Sequence, residues 1–267
     1  MKKHFVFRLK QGSTPDEAMI ELSAFLSDLY ETIDAETAEV QIGGYAEEEL
    51  VPQDLTTVVL DHVSPAEEFN WEEQWASFAP DFHHGLAHID LGPYGGPALL
   101  LKPGGGFGDF SHPTTRLTLS LMASRVPHTT VFDIGCGSGI LSIAAILLGA
   151  DRAFGIDIDE EALEHSRENA ELNHVEGKTI FSSTIDPAWQ VSEPCVIIMN
   201  MIESEQQAAW GASSLLHTRK ATLITSGILA SGKEHYLKKV AGWGWTLIEE
   251  KEEDGWTGFV FTQNMFS

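Results

Sequence analysis

The sequence predicts an α/β protein in which a mostly parallel sheet is covered on both faces and a smaller α+β module stands in front of it. Three observations predict this. After His112, apolar strand-like runs (TVFDI, RAFGID, KTIFSS, CVIIMN, ATLITSG) alternate with helix-like segments, the pattern of strands buried on both sides by crossover helices. Within the first repeat a glycine-rich turn, GCGSG, joins a strand to an apolar helix. Before residue 64 the chain reads instead as short strands and one helix without that repeat. With 267 residues, 43% of them hydrophobic, the chain can bury one large core and one small one.

Taken in order, HFVFRL (residues 4–9) alternates as a strand. Ser13 and Thr14 are cap candidates, Pro15 suits a first helical turn, and Met19, Leu22, Leu26 and Leu29 recur at helical spacing, so PDEAMIELSAFLSDLY predicts one helix. AEVQIGG and TTVVLDHV are two further strands, separated by acidic turn material. Residues 1–63 therefore read as a small acidic α+β module. Residues 64–108 read as a linker: FNWEEQWASF places Trp71, Trp75 and Phe78 on one helical face, and LGPYGGPALLLKPGGGFG behaves as a connector or an ordered active-site loop. Residues 109–267 hold the large α/β domain, whose last runs, WTLIEEKEE and GFVFTQ, predict a closing hairpin.

The charge is uneven. The formal net charge is -24, and residues 11–101 contain no lysine or arginine while carrying Glu47-Glu48-Glu49, Glu67-Glu68 and Glu72-Glu73. Such a surface repels phosphates, so direct nucleic-acid binding is not expected. Two readings of it remain: a solvated face that keeps the chain soluble, or a surface that attracts a basic protein. Arg8 and Lys10 interrupt MKKHFVFRLK before an apolar signal region can form, and no run of eighteen apolar residues predicts a membrane span. Cys136 and Cys195 give neither a disulfide framework nor metal-ligand spacing, so a cytoplasmic chain is expected, with Cys136 as a small filler in the turn. His83, His84 and His88 are read as structural or solvent-exposed; two of them stand four apart, on one face if the segment is helical, but no further ligand accompanies them.

The turn carries the functional argument. In DIGCGSG, Gly135 and Gly137 let the backbone approach a ligand and adopt positive φ. Twenty-four residues after Asp133, the second strand ends in GIDID, where Asp157 can accept hydrogen bonds from both ribose hydroxyls. The turn is GxGxG rather than GxGxxG, and Asp133 at the end of the first strand opposes a pyrophosphate but suits a cation. Charge thus favours an adenosyl-sulfonium cofactor, S-adenosylmethionine, over a nicotinamide dinucleotide. CVIIMN ends in Asn200 at the carboxyl end of a strand, where the ligand crevice of an open parallel sheet lies. Its amide either accepts a hydrogen bond from an incoming amine or caps the helix that begins near Glu203.

These residues, with their surroundings, resemble the PrmA family, the methyltransferases of bacterial large-subunit ribosomal protein eleven. The resemblance runs from about Asn70 to the C-terminus: NWEEQW followed by Phe78 and Pro80, KPGGGFGDFSHPTTRL, DIGCGSGILSIAAILLGA, GIDIDEEALEHSRENAELN, MNMIESE, SGIL at Ser226–Leu229, and EKEEDGWTGFVF. It implies a Rossmann-like class I methyltransferase sheet behind a ferredoxin-like N-terminal domain that grips the ribosomal protein. It also implies that Thr115, Gly135, Asp157 and Asn200 contact S-adenosylmethionine, that Phe107 lies over the same pocket, and that Asn200 sits beside the amine being methylated. Asp133 and Gly137 complete the cofactor set, and His112 is either an orderer of the HPTT loop or a helix cap. One departure stands out: Phe107-Gly108-Asp109-Phe110 occupies the place of the family's FGTG. With it, and with a short acidic N-terminal module, two other readings stay open, a related methyltransferase with a different protein or small-molecule substrate and a catalytically silent acidic binding protein.

Overall fold

The computed structural model describes residues 2–33, 37, 39–47, 51–52, 54–65, 82–104, 108, 110, 112–189, 191 and 193–263. The chain divides into two compact units, Met1–Asn70 and Trp71–Ser267.

In the small unit, β1 (Lys2–Leu9), α1 (Pro15–Leu22), β2 (Ser27–Ile33), β3 (Val40–Glu47) and β4 (Val58–Pro65) form a four-stranded sheet of order β2-β3-β1-β4. All its neighbours pair antiparallel. Thr14 caps α1 reciprocally with Glu17, as Ser/Thr-x-x-Glu before an apolar stripe should. The helix is shorter than its apolar spacing predicts. It ends at Leu22, Leu26 is buried in the turn that follows, and Leu29 belongs to β2. The positions 19, 22, 26 and 29 fit a helical period, but beyond Leu22 they fill the same core from a turn and a strand. One helix is described in this unit; between β3 and β4 the chain is instead tied to α1 by Glu21, whose carboxylate accepts the backbone N–H groups of Thr56 and Thr57 at 2.7 and 2.8 Å.

The large unit opens with residues 82–101, inside the stretch read as a linker, which form a three-stranded antiparallel sheet: β5 (Phe82–His83), β6 (Leu86–Ile89) and β7 (Leu99–Leu101). Ala87, Ile89, Leu91, Leu99 and Leu101 are buried in the main core, which fixes this meander to the body of the unit. The segment FNWEEQWASF lies outside the described residues.

Next come α2 (Pro113–Met122), β8 (Thr130–Ile134), α3 (Ile140–Leu147), β9 (Arg152–Ile156), α4 (Glu160–Leu172), β10 (Thr179–Ser182), β11 (Cys195–Asn200), α5 (Glu203–Ala212), β12 (Ala221–Leu229), α6 (Lys233–Gly242), β13 (Trp245–Glu253) and β14 (Trp256–Gln263). Their sheet has the order β10-β9-β8-β11-β12-β14-β13. It is mixed: the first five strands are parallel, while the terminal hairpin pairs antiparallel and leaves β13 at the edge. Alternate residues feed two cores. Val131, Ala153, Ile198 and Ile224 pack toward α2, α3 and α4, whereas Phe132, Phe154, Ile197, Met199 and Phe259 pack toward α5 and α6. The strand order reverses beside β8, so the carboxyl ends of β9, β8 and β11 open onto one crevice.

Candidate active site

The glycine turn is a frame built by hydrogen bonds. Gly135, Gly137 and Gly139 have φ of +73°, +51° and +79°, conformations that side chains other than glycine's rarely adopt. The N–H groups of Gly135 and Cys136 both donate to Ile156 O, at 2.7 and 3.1 Å, pinning the turn to β9. Asp157 accepts the Gly137 N–H on Oδ2 at 2.9 Å and the Asp159 N–H on Oδ1 at 3.1 Å, which aims a half-exposed carboxylate across the mouth of the turn. Beside it the apolar side chain of Ile158 is 97% exposed.

Behind the turn, α4 supplies the anchors. The Ser166 hydroxyl reaches Gly137 O at 2.7 Å, and Asn169 donates from Nδ2 to Ser138 O at 2.9 Å. The same Asn169 accepts the Lys102 N–H on Oδ1 at 2.9 Å, and Ser138 donates its hydroxyl to Gly108 O at 2.6 Å. Two buried side chains thereby fix the turn and the ends of the 102–108 segment together. His165 donates from Nε2 to Lys102 O at 2.8 Å, and burial lowers its pKa below the ordinary histidine value. Cys136 is buried with its Sγ 3.7 Å from the Ser166 hydroxyl, as befits a small filler, and burial raises its thiol pKa.

Asp133, next to last in β8, has an accessible fraction of 1%. Its Oδ2 accepts the Ser142 hydroxyl at 2.8 Å and its Oδ1 has no partner among the described residues. Burial pushes this carboxyl up to about 7; Ser142 opposes the shift and Asp157 adds to it. Thr115, in the first turn of α2, is fully buried and its hydroxyl also lacks a partner among the described residues. His112 is the cap of α2: Nδ1 accepts the Thr114 N–H, while the ring meets Trp256 edge-on at 5.1 Å between centroids. Arg116 then ties the entry loop to the closing hairpin, donating to Glu253 Oε1 at 2.6 Å and to Phe110 O at 3.3 Å.

Asn200 is the last residue of β11, buried to 8% exposure, and its Oδ1 has no partner among the described residues. The capping alternative does not hold: the cap position of α5 is Ile202, and no side chain caps that helix end. Asp133, Gly135, Gly137, Asp157 and Asn200 thus gather at the carboxyl ends of three adjacent strands, with Thr115 on the helix packed against neighbouring β12 and β14. Phe107 and Asp109 lie outside the described residues. His83 and His88 belong to a hairpin rather than a helix, 6.2 Å apart by ring centroids, with His84 in its turn at φ +55°. No three metal-ligating side chains cluster among the described residues.

The residues that sequence reading missed are Ile158, Ser166, Asn169, Met201 and Gln206. A signal existed for two of them: HSRENAEL puts Ser166 and Asn169 three apart on a helix, and both are fully buried, the mark of polar groups with a fixed partner.

The profile of the family described as "Ribosomal protein L11 methyltransferase (PrmA)" matches residues 11–264. A ribosomal protein L11 methyltransferase of Hahella chejuensis is 38% identical over 176 residues, which cover 63% of this chain and 59% of that protein. One from Thermoanaerobacter pseudethanolicus is 30% identical over 206 residues, 74% of this chain and 66% of that protein. The chain therefore spans about three fifths to two thirds of the length of these curated relatives. A solved structure, a ribosomal protein L11 methylase from Lactobacillus delbrueckii subsp. bulgaricus, superposes with a TM-score of 0.53 at 27% identity, covering 61% of this chain and 83% of that one.

Proposed function

The chain belongs to the ribosomal protein L11 methyltransferase (PrmA) family, and from that premise we propose that it transfers methyl groups from S-adenosylmethionine to amino groups of a large-subunit ribosomal protein. The observation that carries the reading is the pair of buried, unpartnered oxygens, Asp133 Oδ1 and Asn200 Oδ1, at the ends of two adjacent strands beside the glycine turn. A buried polar atom without a partner is costly, so two of them at one crevice argue for a ligand that supplies donors.

The residues fit that cofactor. Asp133 presents a carboxylate oxygen suited to an ammonium or sulfonium; Gly135 and Gly137 bring no side chain to the turn; the Asp157 carboxylate keeps acceptor capacity for ribose hydroxyls; Ile158 offers an apolar face for a purine; the Thr115 hydroxyl, unpartnered among the described residues, can bond a polar edge. Phe107 remains part of the proposed pocket on the strength of the sequence. When bound, S-adenosylmethionine supplies a methyl carbon made electrophilic by positive sulfur. The chain's own task is alignment: Asn200 accepts an N–H of the incoming amine and so directs its lone pair. Desolvation at the crevice favours the neutral, nucleophilic form of a lysine or terminal amine. No strong base is needed.

The acidic module of residues 1–63 is assigned to substrate capture. Ribosomal proteins are basic, and a stretch from 11 to 101 without lysine or arginine attracts one at long range. The chain is placed in the cytoplasm with its substrate, a location supported by two buried free cysteines; no helix among the described residues is long and apolar enough to cross a membrane. Incubation with methyl-labelled cofactor and either the purified ribosomal protein or a ribosomal extract tests the proposal. Label is expected in the large-subunit protein, at a rate that falls steeply with added salt. Cofactor binding without label in any ribosomal band sinks the substrate assignment.

A further inference from the structure

Where β11 ends, the backbone of Met201 passes beside β12 at very short range. Gly227, at φ +92°, lies so close beneath it that a Cβ there would fall 2.2 Å from Met201 O. The register of β12 against β14 also shifts between Thr225 and Ile228, so the strand is irregular at this crossing. Two carbonyls lie beside this irregularity, Met201 O and Ser226 O. A single side chain takes both: Gln206 Nε2, fully buried on the first turns of α5, donates to Met201 O at 2.7 Å and to Ser226 O at 2.9 Å. Because both partners are acceptors, the amide can face them only with its NH2 end. Its other end accepts the Tyr236 hydroxyl at 2.5 Å, and that hydroxyl meets Thr225 Oγ1 at 2.7 Å. Tyr236 and Thr225 are likewise fully buried, and burial keeps the phenol protonated by raising its pKa.

The clasp acts on the site through one residue. On the other side of Met201, its Cε occupies the place where a Cβ of Gly135 would stand, 2.2 Å away. Asn200 precedes it. We infer that Gln206, braced by Tyr236, is a positioning residue that locks the Asn200–Met201 shelf against the glycine turn and so sets the distance between cofactor and amine. It touches neither reactant. Every hydrogen-bonding group of the Gln206 amide is engaged, and such a fully satisfied buried network holds one arrangement where partly satisfied ones hold several.

The inference deepens the proposed methyl transfer and rests on it for its catalytic consequence, while its structural core stands separately. Gln206→Met keeps the buried volume and removes the amide; Tyr236→Phe removes one oxygen and leaves Gln206 Oε1 without its donor. Three readouts are compared with wild type at a temperature where all are folded: amide hydrogen exchange at residues 201, 202 and 227, calorimetric affinity for S-adenosylhomocysteine, and kcat against KM for the protein substrate. Gln206→Met should open the shelf to exchange without opening β8, weaken S-adenosylhomocysteine at least about tenfold, and lower kcat more than it raises KM, since displacing a reacting group by even an ångström is that costly. Tyr236→Phe should do the same to a smaller extent. Unchanged exchange and affinity in Gln206→Met overturn the clasp even if the wild type methylates as proposed. If instead the wild type binds no S-adenosylhomocysteine, the functional reading fails, and the exchange arm still decides whether Gln206 holds the shelf.

Discussion

Two stretches of irregular backbone meet at the head of the large sheet, the glycine turn after β8 and the shelf after β11, and each is anchored by one buried carboxamide from a helix. Asn169 holds the turn through Ser138 O, and Gln206 holds the shelf through Met201 O. They differ in what is left over. At the turn the N–H groups of Gly135, Cys136, Gly137 and Gly139 are all engaged, with Ile156 O, Asp157 and Cys136 O. On the shelf, Asn200 keeps an amide oxygen that bonds nothing among the described residues. In the proposed reaction the turn contributes a shape for the cofactor to fit, and the shelf an unused acceptor for the amine to satisfy.

Deleting the amide on each side should separate these roles. Asn200→Ala is expected to lower kcat/KM by about 100-fold or more, because the amine loses its orienting acceptor. Yet it should leave the melting temperature unchanged or raise it, because an unsatisfied buried group is removed. Steady-state methylation and thermal melts on one preparation check both. Asn169→Leu should behave in the opposite way: it strands Ser138 O and the Lys102 N–H, costing about 1–3 kcal/mol of stability by denaturant titration. Comparable stability losses from the two variants would erase the distinction between frame and acceptor.

The smallest effect concerns Asp133, which belongs to both sides. Its folded pKa, about 7, lies above the ordinary 3.8, so the protonated form is favoured by the fold. Its contribution to stability is complete below about pH 4 and is lost as pH rises toward 7. A cationic ligand needs the ionised form, so affinity for the cofactor should grow about tenfold between pH 6 and pH 8, with proton release measurable by calorimetry in buffers of different ionisation enthalpy. Asp133→Asn should flatten both dependences.

What the sequence made legible follows from how local each signal is. The strand–GCGSG–helix unit, Asp157 and Asn200 at strand ends, and the closing hairpin were readable because glycine spacing, strand period and turn residues are encoded within a few positions. The extent of α1 was not, since Met19, Leu22, Leu26 and Leu29 satisfy a helical period while tertiary packing assigns the last of them to a strand. Residues 82–101 hid their strands because all three are four residues or fewer and glycines and prolines stand between them. Gln206 was invisible for a different reason. Its importance comes from Met201 and Ser226 arriving at one point from separate strands, a convergence that no window of sequence contains.

The edges of the large sheet carry a last consequence. One edge is β10, only four residues long; the other is β13, whose unpaired side runs through Glu249, Glu250, Lys251, Glu252 and Glu253. An exposed strand edge is a template for pairing with another chain, and short length and dense charge are the two features that spoil it. The charges along β13 thus act as a guard against fibril-like self-association, placed on the one long edge that this sheet leaves open.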